Sequence, residues 1–132
     1  MCLKVKENIK LKVAKKDIIV YKKVTKFFGR NNKVLYKLAK LIYNIHLYHL
    51  DIVQPIVRIK IVNNEINEGY HFYKNLTFDN IECYRNMFHS MAIFVIPKGT
   101  RYYIKNSINE GVCESIIYKG LILKRDLKYF II

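Results

Sequence analysis

Acidic residues are scarce in this sequence of 132. Ten Asp and Glu stand against 24 Lys and Arg, a formal net charge of +14. Cysteine is scarce as well: Cys2, Cys83 and Cys113 are odd in number and widely spaced, which excludes a disulfide framework. Long apolar runs are missing too. Lys, His or Arg interrupts each hydrophobic stretch well before the ~18 residues that a membrane-spanning helix requires, so no membrane partner is expected. No basic and apolar leader with a small-residue cleavage site opens the chain, so no secretory signal is expected. Together these absences point to a reducing, soluble compartment. There is no internal repeat, low-complexity tract or interdomain linker, and residues 1–132 are expected to form a single basic α+β domain.

What is present suffices for a core. The hydrophobic fraction of 52%, with 11 Tyr and 7 Phe, separates this chain from disordered sequences, which are poor in aromatic and β-branched residues. At this length a core forms without a metal or disulfide staple.

The positive charge is unevenly placed. Residues 1–60 carry 15 Lys and Arg against Glu7, Asp17 and Asp51, a net +12, whereas residues 61–132 carry 9 against 7. A one-sided basic surface concentrates polyanions and speeds encounter with them. The lysine enrichment of an AT-rich genome, visible also in the many Asn, Ile and Tyr, would produce the same excess. Lys outnumbers Arg 19 to 5, which suits nonspecific phosphate attraction better than bidentate reading. Candidate contacts to nucleic acid or an acidic protein are Lys4, Lys6, Lys10, Lys12, Lys33, Lys37, Lys40, Arg58 and Lys60. Tyr21, Phe27, Phe28, Tyr36, Tyr43 and Tyr48 could add stacking surfaces. No helix-turn-helix, zinc-finger, RNA-recognition or KH signature is present.

Alternation of apolar and basic residues predicts short strands at Leu3–Lys6 and Lys10–Val13. Asp17–Val24 (DIIVYKKV) is the strongest strand and is expected to be central. Gly29–Asn32 reads as a turn. From Lys33 to Leu50, Leu35, Leu38, Ile42, Ile45 and His49 recur at three- and four-residue steps, which predicts a helix with Lys33, Lys37 and Lys40 on another face. From Tyr43 onward the pattern blurs towards alternation, so a strand starting there competes. Pro55 ends this element. Ile56–Val62 (IVRIKIV) reads as a strand and Asn63–Gly69 as a polar loop. Tyr70–Lys74 is a short strand, and a helix capped by Thr77 follows, with Asp79 in its first turn. Met91–Ile96 is a buried strand. Ile96-Pro97-Lys98-Gly99 is a tight turn that returns Arg101–Lys105 as its hairpin partner. Ser115–Leu123 is a further strand before a polar break and the apolar end Leu127–Ile132. The fold class expected is α+β, a small and mostly antiparallel sheet with one or two packed helices.

Several of these segments stand in a recognisable order. Met1-Cys2-Leu3, Ala14–Lys22 (AKKDIIVYK), Glu68–Phe72 (EGYHF), and Ile96–Tyr103 (IPKGTRYY) leading to Glu114–Tyr118 (ESIIY) resemble a family of small, largely uncharacterised proteins from gut bacteria and their phages. The resemblance covers both ends and the second half of the chain. It implies a compact α+β fold with few helices and a phage or bacterial origin, and it implies no known reaction. The second half also has a faint likeness to small ADP-ribosyltransferase-type folds, which place a His or Arg on one strand and a Glu near a later one. On that likeness His71, Tyr103 and Glu114 are candidate catalytic residues of a nucleotide- or NAD-using transferase, with Glu114 orienting a ribose hydroxyl. The competing role for His71 and Tyr103 is to fix the fold through hydrogen bonds.

His46 and His49 could share a helical face, but no third and fourth ligand stands at a supporting spacing, and Cys83, His89 and Cys113 match no zinc pattern. No metal and no cofactor is therefore expected. Cys2 could act as a nucleophile if Met1 were removed; a small buried residue in the first strand is the competing role. The expected function is that of a non-enzymatic phage-type accessory or virion-associated protein, structural or interacting. It would sit in the host bacterial cytoplasm or in a virion or homo-oligomer assembly, with its basic face turned to an acidic macromolecule.

Overall fold

A computed structural model describes residues 3–6, 9–26, 34–37, 45–85 and 89–131. In chain order the first strands are β1 (Leu3–Lys4), β2 (Lys12–Val13), β3 (Ile18–Lys26), β4 (Val34–Lys37), β5 (Ile45–Tyr48), β6 (Ile61–Val62), β7 (Glu65–Ile66) and β8 (Tyr70–Tyr73). A 3-10 segment, η1 (Phe78–Arg85), precedes β9 (His89–Ile96) and β10 (Arg101–Lys105). After the short turn η2 (Asn106–Ile108) come β11 (Glu110–Cys113), β12 (Ile117–Leu121) and a last 3-10 segment, η3 (Lys124–Tyr129).

The α+β expectation is corrected by this architecture. Among the described residues there is no α-helix, and the fold is an antiparallel sheet with short 3-10 segments laid on it. The helix expected over 33–50 is the largest revision. Val34–Lys37 and Ile45–Tyr48 are strands paired to each other, and Thr25 and Lys26 of β3 pair with Leu35 and Val34. Three- and four-residue spacing coexists here with β-branched and aromatic residues. A paired edge on the long β3 decides between them, as tertiary context commonly overrides propensity. The turn expected at 29–32 lies outside the described residues. The capped helix after Thr77 is η1, of 3-10 type, in which the Asn80 side chain accepts from the Thr77 N–H at 2.7 Å.

β3 is central, as its β-branched composition predicts. It pairs with β9 from Ile18↔Ile96 to Thr25↔His89 on one side, and with β8 and β4 on the other. The main sheet runs β12-β9-β3-β8-β11-β10-β2. β2 stands at its edge, yet four residues join it to β3 in the middle, so the sheet curls until edge and middle meet.

That meeting point is a corner. Val13 faces Arg101 and Ile18 faces Ile96, with four residues on each strand between the two pairs. Ala14 and the turn hold the register through the gap: Ala14 N–H donates to Thr100 O at 2.9 Å, and Gly99 N–H donates to Ala14 O at 2.8 Å. β2–β3 and β9–β10 thus form one antiparallel ribbon folded over at 14–17 and 97–100. The expected β9–β10 hairpin is not formed; β10 pairs instead with β11 and β2. The turn itself is shifted by one residue, with Thr100 N–H donating to Pro97 O and Gly99 at φ +89°, the left-handed value that the third position of a type II turn needs.

Inside the curl, Val20 and Val24 of β3 pack with Tyr70, Phe72, Ala92, Phe94, Ile96 and Cys113. A second cluster lies between the sheet and η1 and η3, built on Leu76, Met91, Ile122 and Leu127. A third, Leu3, Val5, Ile66 and Val112, sits under a separate three-stranded sheet, β1-β7-β6. Within the expected polar loop 63–69, Asn63 and Asn64 take φ of 52° and 60° between β6 and β7, the two left-handed residues of a tight hairpin. Of the expected strand Ile56–Val62, only Ile61–Val62 enters a ladder. The preceding stretch is tied to the end of β11 and the start of β12 by Gln54 N–H to Ile116 O and Val57 N–H to Glu114 O. Among the described residues no helix is long and apolar enough to cross a membrane.

Candidate anion-binding cleft

The corner and the 53–58 stretch enclose an open cleft of about 410 Å³. Val53, Gln54, Pro55, Ile56 and Arg58 form one wall, Pro97 to Arg101 the other, and Glu114 and Ser115 the floor. Its chemistry centres on Glu114, whose side chain is 3% exposed. Arg101 grips the carboxylate with two parallel bonds, Nε to Oε1 at 2.8 Å and Nη2 to Oε2 at 2.7 Å. Arg58 Nη1 donates to Oε1 at 3.0 Å, and the Ile59 backbone N–H donates to Oε2 at 2.9 Å. The Arg101 pairing, with help from Ile59 and Arg58, holds the Glu114 carboxyl down at about 2, against the opposing effect of its burial.

Both oxygens are thereby occupied, and the arginines are oriented rather than consumed. The Arg58 and Arg101 side chains stay 69% and 43% exposed. The second Nη of Arg58 and its Nε, and Nη1 of Arg101, are N–H donors that Glu114 does not use. A guanidinium keeps its charge at any relevant pH and offers planar donor pairs to carboxylate or phosphate. Further cations lie along the corner. Lys98 is in the turn and lines the cleft, and Lys15 and Lys16 are exposed on the link bonded to it. Lys12 pairs with Tyr102, so alternation puts it on the strand face opposite to that of Arg101. Of the acids at this corner, Glu114 is sunk beneath its arginines, whereas Asp17 is exposed and accepts from the Lys98 N–H at 2.9 Å through one oxygen.

Other sequence candidates fall elsewhere. Lys4, Lys6, Lys10, Arg58 and Lys60 are exposed, but only Arg58 of these lines the cleft. Lys37 lies in β4, whereas Lys33 and Lys40 are outside the described residues. His71 and Tyr103 both stand opposite Val112, on β8 and β10. They occupy strands on either side of β11, but neither lines the cleft that Glu114 does. His71 is half-buried, and burial together with the Lys22 charge lowers its ring to about 4, so it is neutral at pH 7. With its four bonds already made, Glu114 is committed to Arg58, Arg101 and Ile59 rather than turned towards a substrate hydroxyl.

Lys22 and Arg101 went unmarked in the sequence. Lys22 is 2% exposed inside the curl, between Val20 and Val24, and its Nζ donates to His71 O. The Tyr48, Tyr70 and Phe94 rings surround the amine with centroids at 5.8, 6.0 and 5.9 Å. Burial lowers its pKa to about 7, and burial pushes the neighbouring Cys113 thiol up to about 12. Strand alternation already puts Lys22 on the face of Val20 and Val24. Arg101 follows a turn whose chemistry specifies a reversal but not the strands that pair after it. No cluster of three His, Cys, Asp or Glu side chains able to hold a metal occurs among the described residues. No protein-family model, no curated protein and no solved structure matches the chain.

Proposed function

We propose that this protein is a non-enzymatic binding module that presents a basic surface to an acidic macromolecule, with the folded corner at 14–17 and 97–100 as its centre. One observation carries the reading. Lys98 lines the cleft together with Arg58 and Arg101, exposed Lys15 and Lys16 lie on the link that adjoins its turn, and the one carboxylate of the lining, Glu114, is buried beneath its arginines. Clustered charge on a concave surface raises the local concentration of polyanions and steers their approach. The overall charge of +14 acts in the same sense. An accessory or virion-associated role of phage type agrees with such a module, because assembly and host-binding proteins act through surfaces rather than turnover.

The test is retention on heparin or DNA cellulose as salt is raised. The wild type should elute late, and apparent affinity should fall linearly with log salt concentration. Replacing Lys15, Lys16 and Lys98 together by Glu should move elution to markedly lower salt, while replacing Lys74, Lys119 and Lys124, none of which lines the cleft, should move it less. Equal effects of the two triple replacements, or retention indifferent to salt, would remove the corner from the reading.

A further inference from the structure

The wall of the cleft opposite the corner is apolar, exposed and rigidly held. Val53 and Ile56, which line it, are 56 and 64% exposed, and Leu50 and Ile52, just outside the lining, are 52 and 56% exposed. A mobile loop would let such side chains collapse onto the surface. Here the backbone is pinned along its length: Asp51 N–H donates to Tyr118 O, Gln54 N–H to Ile116 O and Val57 N–H to Glu114 O. Two side chains fasten its carbonyls, Ser115 Oγ donating to Gln54 O and Tyr70 Oη to Pro55 O, both at 2.8 Å. The apolar side chains are therefore presented at no further ordering cost, the condition under which exposed area converts efficiently into affinity.

Resting on the basic-surface reading, we infer that the occupant of this cleft is an acidic protein segment that alternates carboxylate and aliphatic side chains, rather than nucleic acid. Carboxylates meet the outward donors of Arg58 and Arg101 and the Lys98 amine. Aliphatic side chains cover Val53, Pro55, Ile56 and Pro97. The arginine fork matches a carboxylate in two parallel bonds, as Arg101 already does with Glu114. The lining contains no aromatic ring on which a base could stack, and stacking is the contact that single-stranded nucleic acid draws on besides phosphate attraction. An extended peptide suits an open groove that offers apolar and cationic side chains together on both walls, since its alternation presents carboxylate and aliphatic groups side by side along its length.

The test uses three fluorescent probes in anisotropy titrations at one fixed salt concentration: a short peptide alternating aspartate and leucine, an oligo-aspartate of equal length, and a single-stranded DNA oligonucleotide. The alternating peptide should bind at least about tenfold more tightly than the oligo-aspartate, the gap that a little over 1 kcal/mol of apolar contact produces. Ile56→Ser and Val53→Ser leave the charge untouched and alter exposed side chains. They should abolish that preference while heparin retention stays at the wild-type salt concentration. Lys98→Glu should weaken both peptides. Equal binding of the two peptides, or an undiminished preference in Ile56→Ser, would overturn the protein-segment assignment. DNA binding tighter than the alternating peptide and indifferent to Ile56→Ser would assign the cleft to nucleic acid instead. Loss of heparin retention in the wild type would overturn the basic-surface reading itself, independently of the peptide result.

Discussion

Arg101 and Glu114 are joined by two parallel side-chain hydrogen bonds of 2.8 and 2.7 Å, where the start of β10 meets the end of β11 and one wall of the cleft meets its floor. The pair ties the folded corner to the end of β11, and Arg58 brings the 53–58 stretch onto the same carboxylate. One buried acid thus sets the position of both cleft walls.

Removing that acid should be costly in a specific way. Glu114→Ala is expected to destabilise the fold by on the order of 1–3 kcal/mol, because it removes the shared acceptor of Arg58, Arg101 and the Ile59 N–H. Glu114→Gln should keep part of the geometry and lose less. Since the folded carboxyl titrates at about 2 rather than its ordinary 4.5, the native state binds fewer protons than the unfolded chain between those values. The stabilisation is complete above pH 4.5 and is lost as pH falls through 2. Urea titrations between pH 2 and 6 on wild type and Glu114→Gln should show the acid-side loss shrinking in the variant; parallel curves would contradict it.

Lys22 predicts a change at the other end of the scale. Its amine falls from 10.5 to about 7 on folding, mainly through burial. Between pH 7 and 10.5 the unfolded chain holds a proton that the folded chain has released, so stability should rise with pH across that window by on the order of a few kcal/mol. Lys22→Met should flatten the rise. Cys113, pushed up from 9.0 to about 12, and Tyr70 and Tyr118, raised above 10.0, act oppositely once the unfolded chain ionises its thiols and tyrosines, so the comparison belongs below pH 9.0. An equal slope in both proteins would show that the amine is not the source.

Two glycines should respond differently to a methyl group. Gly69 has φ +114°, and a Cβ there would lie 2.5 Å from Val112 Cγ2. Gly69→Ala combines backbone strain with overpacking and is expected to cost about 1–3 kcal/mol. Gly99 has φ +89° but open space around it, so Gly99→Ala carries the strain alone and should cost less. Thermal melts of the two variants check the ordering, and a milder effect at Gly69 would reverse it.

Much of the strand plan was readable before any tertiary information. DIIVYKKV announces β3, HFY marks β8 and MAIFVI marks β9, because β-branched and aromatic runs bounded by turn residues have few other uses. IPKG announces a sharp change of direction at 97–100 and does occur there. Its turn chemistry specifies a local reversal, however, and says nothing of which strands pair afterwards. The same four residues that would close a hairpin instead fold a ribbon over on itself, because Ala14 supplies the hydrogen bonds that a hairpin partner would have supplied. The segment 33–50 misled for a related reason. Its apolar spacing satisfies a helix locally, and only the unpaired end of β3 selects the strand pairing seen at 34–37 and 45–48.

The cleft shows the same division. Sequence by itself determined the excess of positive charge, its concentration in residues 1–60, and the strand character of most segments, since charge and side-chain alternation are properties of the chain taken locally. The tertiary structure alone decided that Arg58 and Arg101, 43 positions apart, share one buried carboxylate, and that Lys22 lies inside rather than outside the sheet. Those outcomes depend on the curl that brings the β2 edge back to β3. Long-range register of this kind is set by the packing of the whole core, to which any one segment contributes only a part.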